Sequence, residues 1–160
     1  MEESARKIVT LQEAKAQIKD WQHAGNRVVF TNGCFDLIHL GHVDYLEKAR
    51  MLGDKLIIGL NSDDSVSRFK GPERPLQDQI SRARVLAAMQ FIDLVVFFNE
   101  DTPLNLITEL LPNILVKGSD YLADNIVGAD VVKKNGGVVK TIDFVPGYST
   151  TRIVEKIKRT

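Results

Sequence analysis

Residues 27–42 read Arg27-Val-Val-Phe-Thr-Asn-Gly-Cys-Phe-Asp-Leu-Ile-His-Leu-Gly-His42, and the rest of the fold can be inferred outward from them. The apolar run of this stretch, residues 28–30, is too short for a helix and is β-branched and aromatic, which is typical of a buried parallel strand. We predict that this strand ends near Thr31. A helical apolar pattern begins at about His42, so the intervening loop delivers its polar groups to a helix N-terminus.

Such a loop is receptive to phosphate, because the first amide groups of a helix lack internal partners and carry partial positive charge. His39 and His42 flank Gly41 there, and a glycine lets a bulky anion approach the backbone. Each imidazole can donate a hydrogen bond to a phosphoryl oxygen and, when protonated, offset developing charge. The alternative is that one histidine caps the helix and the other packs in the loop. The two histidines alone leave both interpretations open.

Four further strand patterns follow along the chain and alternate with helical patterns. The strands are predicted at residues 55–60, 94–98, 114–117 and 138–144. The helices are predicted at 79–89, from Thr102 as N-cap, at 125–135, and from Ser149 onward. This alternation predicts an α/β fold with a Rossmann-like, five-stranded parallel sheet and helices on both faces. With the strand order 3-2-1-4-5, the carboxyl ends of strands one and four form the crevice where open sheets bind ligands.

Residues 1–26 are predicted to be a helical extension of a core that spans residues 27–160. Thr10-Leu-Gln-Glu13 reads as a capping box, and the helix after it should end near Gly25. We expect its apolar stripe to cover a sheet edge. A chain of 160 residues with 44% hydrophobic content suits one domain with a sizeable core.

The composition favours small anionic substrates. Formal charge is zero, from 21 basic and 21 acidic residues, which argues against a nucleic-acid binder or a membrane-surface protein. The single Cys34 excludes an internal disulfide, and no signal peptide or long apolar span is present, so a reducing cytoplasm is expected. No Cys/His cluster has metal-ligand spacing, and neither common glycine-rich phosphate motif occurs.

Polar residues at two strand ends are candidates for substrate contacts. Asn61 and Asp63 follow the second strand, where they could bond sugar hydroxyls, although such residues are also common in turns and caps. Their position favours the contact. Asp36 could contact metal or ligand, or form a local Asx turn. Lys117-Gly-Ser-Asp-Tyr121, at the end of the fourth strand, should face the loop of His39.

Residues 68–75 read Arg68-Phe-Lys-Gly-Pro-Glu-Arg-Pro75 and are predicted to form a turn-rich loop rather than a helix interior. Such a loop could close over a triphosphate and bring Lys70 to the α-phosphate. Solvated surface charge is the alternative, and it stays open for Arg74. Near the C-terminus, Ser149, Thr150 and Thr151 crowd one helix start, where one hydroxyl suffices as a cap and the others could meet phosphate.

Gly33-Cys-Phe-Asp-Leu-Ile-His-Leu-Gly-His42 resembles the signature G-x-F-D-x-x-H-x-G-H of the nucleotidyltransferase superfamily, with all six fixed positions matching. In that superfamily the two histidines hold the phosphates of the nucleotide during transfer, and a lysine near the place of Lys70 contacts them. A second signature is a Ser/Thr-rich helix start near the C-terminus. Tyr148-Ser-Thr-Thr-Arg152 stands in that place.

Residues 27–158 are similar to one branch, the heptose 1-phosphate adenylyltransferases related to the second domain of the bifunctional heptose kinase/adenylyltransferase. The matching words include Phe30-Thr-Asn-Gly-Cys-Phe-Asp36, Asn61-Ser-Asp63, Val116-Lys-Gly-Ser-Asp-Tyr121 and Gly147-Tyr-Ser-Thr-Thr151. The resemblance implies adenylyl transfer from ATP to a heptose 1-phosphate, giving ADP-heptose for lipopolysaccharide precursors. Since no kinase half accompanies these residues, we expect another protein to supply the sugar phosphate.

Pattern and resemblance together give three groups of site residues. The catalytic group is His39, His42 and Lys70. The nucleotide and phosphate group is Gly33, Cys34, Phe35, Gly41, Lys117, Gly118, Asp120, Tyr148, Ser149, Thr150 and Thr151. The sugar phosphate group is Asp36, Asn61, Asp63 and Arg74. Mg²⁺ is expected on the substrate phosphates rather than in a protein metal site. The expected partners are ATP and heptose 1-phosphate, without nucleic acid or membrane, and a homodimer is compatible with this reading.

Two alternatives remain at this stage. Glycerol 3-phosphate cytidylyltransferase shares the first signature but carries R-T-E-G before its I-S-T-T helix, where this chain has Phe144-Val-Pro-Gly147. Losing the Arg and the Glu makes cytidylyl transfer the weaker choice. A non-catalytic nucleotide sensor with an intact pocket is an alternative of another class, and turnover of ATP would exclude it.

Overall fold

In the computed structural model, which describes residues 3–160, six parallel strands form one sheet in the order β1-β4-β3-β2-β5-β6. The strands are β1 (Ile8–Val9), β2 (Val28–Gly33), β3 (Lys55–Asn61), β4 (Leu94–Phe98), β5 (Ile114–Gly118) and β6 (Val138–Ile142). The central strand β2 pairs with β3 on one side and with β5 on the other. Their carboxyl ends therefore meet at the point where the strand order reverses.

The predicted order of five strands is confirmed as β4-β3-β2-β5-β6, but the predicted number of strands is wrong. The sixth strand, β1, adds to the edge through the pairs Ile8↔Val95 and Val9↔Val96. A strand of two residues is too short to show the alternation of apolar and polar residues by which a strand is recognised in a sequence. The strand predicted to end near Thr31 continues to Gly33, because β3 offers partners along the whole of that length.

The described part of the chain contains seven α-helices. They are α1 (Leu11–His23), α2 (Leu40–Met51), α3 (Asp63–Lys70), α4 (Gln79–Ala87), α5 (Leu104–Leu110), α6 (Ala129–Lys134) and α7 (Thr150–Arg159). Helices α1, α5 and α6 pack on one face, where residues such as Ile18, Leu106 and Val132 join Phe30. Helices α2 and α4 pack on the other face through Leu46 and Leu86. Two 3-10 turns, Glu3–Lys7 and Ala123–Asn125, complete the described elements.

The N-terminal helix begins as predicted, with Thr10 accepting from the Glu13 amide while the Glu13 carboxylate accepts from the Thr10 amide. The expectation that α1 covers a sheet edge is wrong. Ala14 and Ile18 are buried against the sheet face together with residues of the central strands. No helix among residues 3–160 combines the length and the apolar character that crossing a bilayer requires.

Three other local predictions are wrong. Helix α3 continues through Lys70, so the last turn of a helix carries Arg68 and Lys70, and the loop starts only at Gly71. Helix α5 has Pro103 rather than Thr102 at its N-cap, without a side-chain cap bond. The helix predicted over residues 125–135 is divided, because Gly128 adopts φ 86° and a left-handed residue interrupts a helix.

Candidate active site

A cleft of about 630 Å³ opens at the carboxyl ends of β2, β3 and β5. Eleven of the predicted site residues line it: Gly33, Cys34, Phe35, Asp36, His42, Asn61, Lys70, Lys117, Gly118, Asp120 and Thr150. The other predicted residues do not line its wall: His39, Gly41, Asp63, Arg74, Tyr148, Ser149 and Thr151. His39, Tyr148 and Ser149 instead line a second depression at the start of α7, together with Arg152. The stacked rings of His39 and His42 connect the two.

The two histidines form a face-to-face pair at the start of α2. Their ring centroids are 3.9 Å apart and their planes are inclined by 23°. His39 is the N-cap residue but makes no side-chain cap bond, so the interpretation that its side chain caps the helix is wrong. A Cβ on Gly41 would come within 3.0 Å of the His39 ring. Glycine at this position therefore lets the His39 ring lie close to the backbone.

Burial sets the charge of this pair. It lowers the pKa of His42 to about 4, with the neighbouring His39 and Lys70 acting in the same direction. Burial also lowers the pKa of His39. Both Nδ1 atoms are buried and without a hydrogen-bond partner among the described residues. At neutral pH the pair therefore consists of neutral imidazoles with unused hydrogen-bonding capacity, which a phosphate could engage.

Asp36 is buried and fully engaged with the loop that follows α3. Its carboxylate accepts from the amides of Leu76 at 2.8 Å and Gln77 at 2.9 Å, and it pairs with the Arg74 guanidinium at 3.3 Å. These partners are distant in sequence, so the alternative of a local Asx turn is wrong. Asp36 and Arg74, both expected at the sugar phosphate, contact each other and fix the course of residues 74–77.

Arg82 is a buried cation that ties together the walls of the cleft. It donates to the carbonyl oxygens of Cys34 and Asn61, each at 2.8 Å, and to the Asp63 carboxylate at 2.7 Å. Its Nε also donates to the carbonyl of Gln77. Asp63 is therefore held by Arg82 outside the cleft wall. The sequence gives no signal for this role, because Arg82 lies on an ordinary amphipathic helix.

Two lysines line the cleft, and neither forms an ion pair within residues 3–160. Lys70 is the last residue of α3, and Lys117 is near the end of β5. Burial lowers the pKa of Lys117 to about 8, and the nearby Asp120 opposes this shift. The Lys117 ammonium lies 5.6 Å from the centre of the Tyr121 ring. Uncompensated cations in a concave site favour an anionic ligand.

The start of α7 uses its hydroxyls in different ways. Ser149 is the N-cap and accepts from the Arg152 amide at 3.2 Å, as the capping interpretation predicted. Thr150 donates to the carbonyl of Leu37, in the loop before His39, and lines the cleft. Thr151 is exposed. One hydroxyl therefore caps the helix, and a second ties it to the histidine loop.

Several cleft residues were not predicted from the sequence. They include Asn32, Tyr45, Phe98, Thr102, Tyr121, Ile126 and Phe144. Phe144 packs so closely on Gly118 that a Cβ there would lie 2.2 Å from its ring atoms. Its ring also stacks on that of Tyr45, with centroids 5.5 Å apart. Such residues come together only through the sheet order, and the sequence around each one carries no distinctive motif.

No cluster of three or more His, Cys, Asp or Glu side chains suited to a metal is present within residues 3–160. The acidic residues at the cleft are partly committed. Asp36 is bound by Arg74 and two amides, and Asp101 pairs with Arg68 at 3.0 Å.

Residues 30–156 match the model of the cytidylyltransferase-like family, and the chain belongs to that family. Among similar proteins is the bifunctional protein HldE of Magnetococcus marinus, 57% identical over 155 residues, which are 97% of this chain and 32% of that protein. The HldE of Geobacter sulfurreducens is 61% identical over 133 residues, covering 83% of this chain and 27% of that protein. The chain thus spans about a third of the length of these relatives.

A solved structure shows the same architecture. The lipopolysaccharide core biosynthesis protein of Thermoplasma volcanium superposes with a TM-score of 0.60 at 28% identity. The alignment covers 76% of this chain and 98% of that protein. The Rossmann-like parallel sheet is therefore shared with a structure determined by crystallography.

Proposed function

We propose that the chain transfers the adenylyl group of ATP to a heptose 1-phosphate, forming ADP-heptose and pyrophosphate. The observation that carries this proposal is the stacked pair His39 and His42 at the start of α2, beside a cleft with two uncommitted lysines. The sugar is supported by the sequence resemblance to heptose 1-phosphate adenylyltransferases. The matched relatives are named bifunctional, and this chain matches about a third of their length. A chain that carries one of their two activities would be consistent with such a partial match.

The reaction is an in-line displacement at the α-phosphorus of ATP. An oxygen of the sugar phosphate forms the new P–O bond, the bond to the bridging oxygen of the β-phosphate breaks, and pyrophosphate leaves with that electron pair. The attacking phosphate is already an anionic nucleophile, so no general base is needed. The protein has to align two anions and stabilise the charge that develops on the leaving oxygens.

His39, His42 and Lys70 perform that task in this proposal. The imidazoles donate hydrogen bonds to phosphoryl oxygens, and the ammonium of Lys70 contributes charge at the end of α3. Mg²⁺ neutralises phosphate charge when bound and would be held mainly by phosphate oxygens and water, in keeping with the committed carboxylates of Asp36 and Asp101. We place the reaction in the cytoplasm, where ATP is available, and in the synthesis of lipopolysaccharide precursors.

A nucleotide and sugar panel tests the proposal. The purified chain is incubated with ATP, CTP, GTP or UTP and with either anomer of a heptose 1-phosphate or with glycerol 3-phosphate. Pyrophosphate release is measured, and binding of ATP is measured in parallel. We expect release with ATP and one anomer. Release with CTP and glycerol 3-phosphate alone would support the cytidylyltransferase alternative. Binding of ATP without pyrophosphate from any acceptor would support the sensor.

A further inference from the structure

The cleft extends over both faces of the sheet, and its two halves are chemically different. Side chains of a strand alternate between faces, and the two apolar clusters identify each face. The half beside α2 and α7 contains His42, Tyr45 and Thr150. The half beside α5 and α6, which we call the α5-side lobe, is lined by Asn32, Phe98, Pro103, Lys117 and Ile126. Of the histidine pair, only His42 lines this cleft, and it lies in the first half.

Asn32 belongs to the α5-side lobe and has an unsatisfied amide. Its Cβ lies near the position that a Cβ on Gly59 would occupy, beside Phe30 and Leu106, which places it on the face of α5. Its Oδ1 atom is buried and has no hydrogen-bond partner in the described part of the chain. A buried amide oxygen without a partner destabilises the protein, because it has lost its hydrogen bonds to water. A ligand hydroxyl would remove that penalty.

Lys117 reaches the same lobe from the neighbouring strand. Leu115 packs in the α5-side core and Val116 in the opposite core, so alternation puts Lys117 on the face of Asn32. Its ammonium has no carboxylate within ion-pair distance in residues 3–160. A cation in a partly buried wall is stable only if an anion or strong acceptors complete its surroundings.

We propose that Lys117 and Asn32 form the acceptor subsite, with the ammonium pairing with the phosphate of the sugar 1-phosphate and the amide bonding a sugar hydroxyl. This inference rests on the proposed function and deepens it. ATP then occupies the half with His42 and Thr150, and the two substrates meet above the carboxyl end of β2. Lys117, grouped with the nucleotide residues by sequence, is reassigned to the sugar phosphate.

Binding measurements separate the two substrates. Heptose 1-phosphate is titrated calorimetrically into the protein saturated with α,β-methylene-ATP, which cannot release pyrophosphate. We expect Lys117→Met to raise the Kd of the sugar phosphate by tenfold or more and Asn32→Ala by threefold or more. Lys117→Arg should restore most of the affinity. The Kd of the ATP analogue should stay within twofold, and Lys140→Met, an exposed lysine on β6, serves as the matched control.

The pH dependence of the Kd for the sugar phosphate gives a second test. If Lys117 had only a structural role, its titration would not change this Kd. The groups facing the Lys117 ammonium are Asp120 and Tyr121 from its own loop and Cys34 from the loop after β2. Because burial sets the pKa of Lys117 at about 8, its charge is lost as the pH rises through 8. The Kd of the sugar phosphate should rise about tenfold between pH 7 and pH 9. In Lys117→Arg this rise should disappear, since arginine stays charged.

The outcomes distinguish this subsite from the proposed function. If the wild type binds heptose 1-phosphate through Lys117 and Asn32 but releases no pyrophosphate, the proposed function fails and the subsite stands. If the wild type turns over while Lys117→Met keeps a normal Kd for the sugar phosphate, the subsite is overturned and the function stands. Weakened binding of the ATP analogue instead would also overturn the subsite. Absence of binding of either anomer to the wild type would overturn both.

Discussion

His42 stacks on His39 with ring centroids 3.9 Å apart, at the start of α2, which follows the loop after β2. Two cationic imidazoles could not lie so close without strong repulsion, and burial together with this contact lowers the pKa of His42 to about 4. The pair is therefore built for hydrogen bonding in the neutral form. An approaching triphosphate would offer hydrogen-bond partners to the two Nδ1 atoms, which have none among the described residues.

Replacing His42 with alanine should affect turnover far more than folding. The change removes a donor to charge that grows in the transition state, and loss of one such donor commonly costs about 3 kcal/mol, or roughly a hundredfold in kcat. His39→Ala should behave alike. Steady-state pyrophosphate release measures the effect, with His23→Ala, an exposed histidine of α1, as the matched control. Near-normal kcat in a folded His42 variant would contradict the phosphate role.

Binding of ATP should be accompanied by proton uptake at His42. Its pKa of about 4 leaves the imidazole neutral at pH 5.5, and a nearby triphosphate raises that pKa because it favours the charged form. Titration calorimetry at pH 5.5 in buffers of different ionisation enthalpy gives the number of protons taken up. We expect a larger uptake in the wild type than in His42→Asn. Equal values for the two proteins would show that the triphosphate does not approach His42.

Asp36→Asn should destabilise the protein through the loop after α3. The variant has one carboxylate oxygen fewer for the amides of Leu76 and Gln77, and it leaves Arg74 without its charged partner. Unsatisfied buried groups of this kind lower the free energy of unfolding by roughly 1 to 3 kcal/mol. Urea denaturation measures it. Asp44→Asn, which breaks the solvent-exposed pair with Lys48, should change it by about 0.5 kcal/mol or less. Equal effects of both variants would contradict the bracing role of Asp36.

ATP should exceed CTP in kcat/KM by at least about tenfold, an estimate taken from the energy of leaving a buried polar group unpaired. We expect the base to be recognised by the loop after β5 and the loop before α7. Phe144 of the second loop packs on Gly118 and stacks on Tyr45. Competitive turnover with both nucleotides measures the ratio. Preference for CTP would restore the cytidylyltransferase alternative and leave the phosphate roles of His39 and His42 intact.

The order of the central strands could be predicted because each is a short apolar run between helical patterns, and alternation with right-handed crossovers leaves few topologies. The edge strand β1 was missed because two residues carry no periodicity. Gly71 and two nearby prolines predict a loop at Lys70, yet in the structure these residues follow the end of α3 at Lys70. The ends of helices and strands depend on tertiary contacts, which the local sequence does not reveal.

The candidate site was predictable where a motif is local and not where contacts are distant. His39, Gly41 and His42 lie within four positions of one another, so their proximity follows from the sequence alone. Asp36 with Leu76, and Arg82 with Cys34, meet only after the sheet has formed. Asn32 looked like one more residue of a strand, and only its orphaned oxygen distinguishes it.

We propose that an oxygen of the sugar phosphate attacks the α-phosphorus of ATP. Phosphorus NMR of a reaction with heptose 1-phosphate carrying ¹⁸O in its phosphate tests this directly, because the isotope shifts the resonances of the phosphorus atoms bonded to it. We expect ADP-heptose with ¹⁸O in the bridge between its two phosphorus atoms, and unlabelled pyrophosphate in equal amount. Formation of ADP with a doubly phosphorylated sugar, or no new phosphorus resonance while ATP is bound, would contradict it.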